Sequence, residues 1–217
     1  MGSVYRAYDR ETKQAVALKI VHAGHPSLDA RFAREAAALE KLSHPGIVRH
    51  LAHGVTPEGT LYLATELLEG RSLAERMAAG PVPIDEAVDL AQQIAEILGF
   101  VHARGLVHRD LTPGNVFLCR DGSMRLIDFG LISFAGSNHS LTGPGGLVGT
   151  MGYLSPEQVR GGPIDEKTDW FSLGCLLVGM IAGKPPFGSS VSELLRHLAR
   201  GSDPTAALPA WLPERFR

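Results

Sequence analysis

The sequence predicts a bilobal α+β fold, with a small β-rich N-terminal part and a larger, mainly helical C-terminal part. Three observations carry this. Residues 4–21 and 47–68 read as short strands of alternating or continuous apolar residues. The stretch "EGRSL" (69–73) breaks that pattern. Beyond it, "IDEAVDLAQQIAEILGFVHARG" and "WFSLGCLLVGMIAG" read as helices.

The elements follow in order. Val4–Tyr8 and Ala15–Val21 flank "DRETKQ" and read as a hairpin. In "AVALKI", Val16, Leu18 and Ile20 share one face of the strand, and Ala15, Ala17 and Lys19 share the other. A small residue beside one lysine suits the close approach of a flat, charged ligand, although a lone strand lysine more often faces solvent. "SLDARFAREAAALEKLS" reads as a helix whose apolar stripe is Leu28, Phe32, Leu39 and Leu42. Glu35 falls in that stripe, and an inward carboxylate is costly unless it meets a cation. Lys19 on the preceding strand is the candidate partner. "IVRHLAHGV" and "TLYLATELL" read as two further strands. The helix over 84–105 should bury Val88, Ala91, Ile94, Leu98 and Val101 and stop at Gly105. The last long helix should stop at Gly183, before "KPPF".

"VHRDLTPGNVFLCRDGSMRLIDFG" spans Val107 to Gly130. "NVFLCR" and "MRLID" are short apolar strands joined through Asp121 and Gly122, a strong hairpin signal. In an antiparallel hairpin the start of the first strand lies beside the end of the second, so Asn115 and Asp128 should share one edge. Asp110 enters five residues before Asn115. Three oxygen-bearing side chains at one edge suit a hard cation, with a carboxylate left to orient a nucleophile. The plainer alternative is a hairpin with polar caps.

Composition narrows the classes. The chain has 217 residues, 44% apolar and 20% charged, with a net charge of −2. That balance argues against a nucleic-acid surface or an anionic-membrane surface. The longest apolar run, Trp170–Gly183, is too short for a bilayer span, which needs roughly 20 residues. Two distant cysteines, Cys119 and Cys175, form no metal or redox motif, and no secretory signal opens the chain. A reduced, cytoplasmic setting is expected. His22, His25, His50 and His53 lack cysteine or carboxylate companions at ligand spacing, which favours surface or loop histidines.

Taken together, the motifs resemble those of the serine/threonine protein kinase family in its bacterial form. "VALKI" resembles the strand of the ATP-phosphate lysine. "RFAREAAALEKLSHPGIV" resembles the helix bearing the glutamate that orients that lysine. "HRDLTPGN" resembles the catalytic loop, "DFG" (128–130) the magnesium motif and "GTMGYLSPE" (149–157) the end of the activation segment. "TDWFSLG" resembles the start of the helix whose aspartate, Asp169, braces the catalytic loop. The resemblance covers nearly the whole chain, as a partial kinase domain over 1–217. It implies an N-lobe over 1–66, a hinge over 67–71 and a C-lobe over 72–217.

It also implies roles. Lys19 would hold the α/β-phosphates of ATP and Glu35 would hold Lys19. Asp128 and Asn115 would bind Mg²⁺, with Mn²⁺ as a substitute. Asp110 would accept or orient the proton of the attacking hydroxyl. Gly2, Val4, Ala17, Phe117, Glu66 and Leu68 would enclose the nucleotide, with Thr65 at the back of the pocket. The ring of His108 would be scaffolding. The implied partner is a protein substrate with a Ser/Thr acceptor, and autophosphorylation in trans would fall on Ser137, Ser140 or Thr142, answered by Arg109.

Departures are visible. Thr112 stands where lysine is usual, which should slow transfer without abolishing nucleotide binding. Only Gly2 and Val4 match the phosphate-covering loop, and the helices that usually follow "LPERFR" are absent, so the chain reads as truncated at both ends. Glu157 would then lack its usual arginine. A pseudokinase scaffold and a small-molecule phosphotransferase are the competing readings. "GTMGYLSPE" counts against the second.

Overall fold

A computed structural model describes residues 3–21, 36, 40, 42–128, 151–188, 190–210 and 212. The N-terminal part is a four-stranded antiparallel sheet of β1 (Ser3–Asp9), β2 (Gln14–Val21), β3 (His50–Val55) and β4 (Leu61–Glu66), in the order β1-β2-β4-β3. The β1–β2 hairpin pairs Ser3 with Ile20 and Asp9 with Gln14, as the alternation predicts. Ala17 and Lys19 point to one face and Val16, 5% exposed, to the other.

A second, three-stranded sheet holds β5 (Gly70–Ser72), β6 (Val116–Cys119) and β7 (Met124–Leu126). The expected hairpin is present: Val116 pairs with Leu126, and Gly122 turns with φ +85°. The break at "EGRSL" has a local cause. Gly70 pairs with Cys119, and its missing Cβ leaves room for the Leu118 carbonyl. Ser72 then caps α1 (Leu73–Ala78) in a reciprocal capping box with Glu75.

The helical part continues with α2 (Ile84–His102), α3 (Pro156–Arg160), α4 (Glu166–Ala182) and α5 (Val191–Arg200). Helix α4 stops at Gly183, which has φ +72°, where the sequence places its stop. Helix α2 buries Ala87, Leu90, Ile94, Ile97, Leu98 and Val101, whereas Val88 is 38% exposed. The expected stripe is therefore corrected at its first turn. The helix packs against both α4 and β7, and two neighbours draw in a wider stripe than one period predicts.

The core lies mainly in the helical part, where Leu73, Ile94, Leu98, Val101, Leu111, Val116, Leu126, Leu176 and Met180 are essentially inaccessible. Residues 46–48 tie the two parts together. Leu126 N–H donates to Gly46 O at 2.7 Å and Val48 N–H to Leu126 O at 3.0 Å, while Glu66 N–H donates to Arg49 O at 3.0 Å. The N-terminal sheet and the β6–β7 hairpin are thus held in register through this segment.

Candidate active site

Between the two parts lies a cavity of about 260 Å³. Val4, Ala17, Lys19, Thr65, Glu66, Leu68, Phe117 and Asp128 all line it. Gly2 and Glu35 lie outside the described residues, as do 129–150 with Ser137, Ser140 and Thr142. The cavity wall also includes Val48, His50, Leu63, Leu67 and Ile127, which sequence reasoning missed. Leu63 could have been found: it pairs with Lys19 across β2–β4. Burial holds the His50 imidazole below its ordinary value, helped by His53, whose Nδ1 lies 3.1 Å from His50 Nε2.

At one end of the cavity, Lys19 Nζ donates to Asp128 Oδ1 at 2.7 Å. The sequence suggests Glu35 as partner for this lysine. Among the described residues the partner is Asp128, 109 residues further along the chain. Asp128 has φ +55°, a left-handed conformation unusual for a residue with a Cβ. Asn115 ends a 3-10 turn over Pro113–Asn115, and its carbonyl accepts from Ile127 N–H at 2.9 Å. The turn chemistry of the hairpin thus sets Asn115 beside the residue before Asp128.

Asn115 Nδ2 donates to the Asp110 carbonyl at 2.7 Å and to Asp110 Oδ2 at 2.9 Å. This fixes the amide with its oxygen directed away from Asp110. Among the described residues neither Asn115 Oδ1 nor Asp128 Oδ2 makes a hydrogen bond. Two hard oxygen donors at one edge fit a divalent cation with oxygen-loving coordination. Burial pushes the Asp110 carboxyl up to about 6; the Asn115 hydrogen bond opposes this, Asp128 adds to it and Lys19 opposes it.

The loop holding Asp110 is braced from below by α4. Asp169, fully buried, accepts from His108 N–H and Arg109 N–H, each at 2.8 Å, and lies 2.7 Å from His102 Nε2. Three donors satisfy a carboxylate that burial alone would disfavour. The His108 ring is inaccessible, and burial lowers its basicity despite the charges of Asp169 and Asp128. The ring is enclosed beneath the loop. Asp110 N–H approaches its Nδ1 at 3.4 Å.

Ser155, at the start of α3, forms a capping box with Gln158. The Gln158 amide reaches back across 49 residues, and its Nε2 donates to Arg109 O at 2.7 Å. Glu157 accepts from Thr168 Oγ1 at 2.6 Å. The sequence marks Glu157 as short of a partner; Thr168 supplies one. The S-P-E-Q pattern carried the capping signal, but its reach to Arg109 has no local signature.

The comparisons with known proteins place the chain in a family. The protein kinase domain family model matches residues 1–207. The DNA damage-responsive serine/threonine-protein kinase RqkA of Deinococcus radiodurans is 39% identical over 203 residues, covering 91% of this chain and 30% of that protein. The serine/threonine-protein kinase PknB of Mycobacterium tuberculosis is 35% identical over 217 residues, covering 95% of this chain and 35% of that protein. The chain spans about a third of the length of these relatives. With its motifs in order and its family model matched over residues 1–207, this chain belongs to the protein kinase domain family.

Proposed function

We propose that the chain is an ATP-dependent protein serine/threonine kinase, transferring the γ-phosphoryl group of Mg-ATP to a protein hydroxyl. The observation that carries this is the pairing of Asn115 with Asp110 beside Asp128 and Lys19, at the end of an apolar cavity. ATP supplies the phosphoryl group, and Mg²⁺ (or Mn²⁺) neutralises its charge.

In this reading Ala17, Phe117, Val4 and Leu68 enclose the adenine, with Thr65 and Glu66 at the back and edge of its pocket. Gly2 matches the last glycine of the family's phosphate-covering loop. Lys19 binds phosphate oxygens and Glu35 orients it. Asn115 Oδ1 and the Asp128 carboxylate hold the cation. Asp110 orients the acceptor hydroxyl and takes its proton. The division into 1–66, 67–71 and 72–217 follows from the same reading, as do a cytoplasmic setting, protein substrates with Ser/Thr acceptors and autophosphorylation in trans within 137–142.

One observation favours a second reading, an ATP-binding scaffold without transfer. Thr112 brings no charge to the catalytic loop, and its hydroxyl has no hydrogen bond among the described residues. Intact mass after incubation with Mg-ATP and a basic protein acceptor separates the two. The kinase reading expects added phosphate with the parent chain and none with Asp110→Ala, which still binds nucleotide. Asp128→Asn should lose magnesium-dependent nucleotide binding. Equal loss of binding in both variants would overturn these roles; a folded parent that binds ATP and adds no phosphate would establish the scaffold.

A further inference from the structure

We infer that Gln158 is a positioning residue for phosphoryl transfer: its side-chain amide locks the peptide between Arg109 and Asp110, and so sets the direction in which Asp110 is presented. The inference rests on the kinase reading of Asp110 given above.

Arg109 is one of three non-glycine residues with positive φ among the described residues, at +67°. That conformation costs a residue with a Cβ roughly 1–2 kcal/mol and persists only where the surroundings over-determine it. Both polar groups of this residue's backbone are held. Its N–H donates to Asp169 Oδ1 at 2.8 Å, from α4. Its carbonyl accepts from Gln158 Nε2 at 2.7 Å, from α3. The carbonyl and the Asp110 N–H belong to one planar unit, so fixing the first fixes the second and the origin of the Asp110 side chain.

The amide cannot serve equally in reverse. Gln158 Oε1 accepts from Ser155 N–H at 2.9 Å, so an exchanged amide would set donor against donor and oxygen against the Arg109 carbonyl. The two ends therefore have separable duties. The oxygen closes the capping box of α3, a task glutamate performs as well. Among the described residues the nitrogen makes no bond to that helix and reaches only the catalytic loop. Gln158 thus links the end of the activation segment, which it caps, to the residue preceding the base. The link lies away from the nucleotide cavity, since neither Gln158 nor Arg109 lines it.

Gln158→Glu separates these duties. It retains an acceptor for Ser155 and removes the donor, setting a carboxylate oxygen against the Arg109 carbonyl. The expected result is a fall in kcat of about tenfold or more, the scale of one lost hydrogen bond plus repulsion, with KM for ATP close to that of the parent and a melting temperature lower by only a few degrees. Amide hydrogen exchange over 107–111 should quicken. As pH falls and the introduced carboxylate protonates, its hydroxyl can donate again, so the ratio of variant to parent kcat should rise. Parent-like kcat and exchange in Gln158→Glu would overturn the inference. So would a loss of activity matched by a general loss of melting temperature and of nucleotide affinity. If the parent itself transfers no phosphate, the kinase reading fails separately, and exchange alone decides: faster at 107–111 in the variant upholds the lock, and unchanged exchange overturns it.

Discussion

Asn115 holds Asp110 twice, by its backbone carbonyl at 2.7 Å and by its carboxylate at 2.9 Å, through one side-chain nitrogen. That nitrogen is the main support for a carboxylate whose surroundings otherwise disfavour charge. Burial is the largest influence and raises the Asp110 carboxyl to about 6; the nearby Asp128 adds to the rise.

A consequence for stability follows from the sign of that shift. The folded chain binds the Asp110 proton more tightly than the unfolded chain, whose carboxyl has the ordinary value of 3.8. Stability tied to this group is present below pH 3.8 and is lost as pH rises to about 6. Asp110→Asn removes the cost of the buried charge. Without nucleotide or metal, the variant should melt a few degrees above the parent at neutral pH, since ~1 kcal/mol moves Tm by about 2–4 °C at this size. The advantage should vanish in acid. Thermal melts of both proteins across pH check this, and an equal gap at every pH would refute it.

Thr112 offers a direct test of the missing charge. The residue is 8% exposed, its carbonyl accepts from Asn115 N–H at 3.0 Å, and it lies in the loop between Asp110 and Asn115. A cation there would oppose the charge that develops on the transferred group. Thr112→Lys should raise the transfer rate by roughly tenfold at saturating Mg-ATP and leave nucleotide affinity nearly unchanged. Initial rates of phosphate incorporation measure it. An unchanged rate would mean that another cation already fills the role.

Thr168 anchors Glu157 and with it the short helix α3. Thr168 is fully buried and donates to Glu157 Oε1 at 2.6 Å, while Ser155 Oγ lies 3.5 Å from its hydroxyl. Burial pushes the Glu157 carboxyl up, but hydrogen bonds from Thr168, its own backbone and Ser155 outweigh this and hold it below its ordinary 4.5. A depressed carboxyl stabilises the folded chain above that value, and the contribution is lost as pH falls through the folded value. Thr168→Val should cost about 1–2 kcal/mol at neutral pH, with a smaller deficit in acid, and Thr168→Ser should restore most of it. Denaturant unfolding at two pH values decides the matter.

How much of this was legible in the sequence depends on the range of each interaction. The β1–β2 hairpin, the Asp121–Gly122 turn and the stop of α4 at Gly183 follow from alternation and turn chemistry, which act within a few residues. The same local logic brought Asn115 and Asp128 to one edge, because an antiparallel hairpin has no other way to close. Most of the cavity lining was legible through the family motifs, yet Val48, Leu67 and Ile127 were not, since apolar residues in a wall carry no motif of their own.

The chain by itself therefore determined which chemical groups are present, which elements form and which ends of those elements meet. Tertiary structure alone decided the partners that cross between elements. Lys19 meets Asp128 across 109 residues, and Gln158 reaches Arg109 across 49. It also turned Val88 outward on a helix whose period alone would bury it. The physical reason is one of degeneracy. Periodicity and turn preference act on neighbouring residues and leave few alternatives, whereas a buried charge or amide can be satisfied by any complementary group that packing delivers, and only the assembled core selects which one.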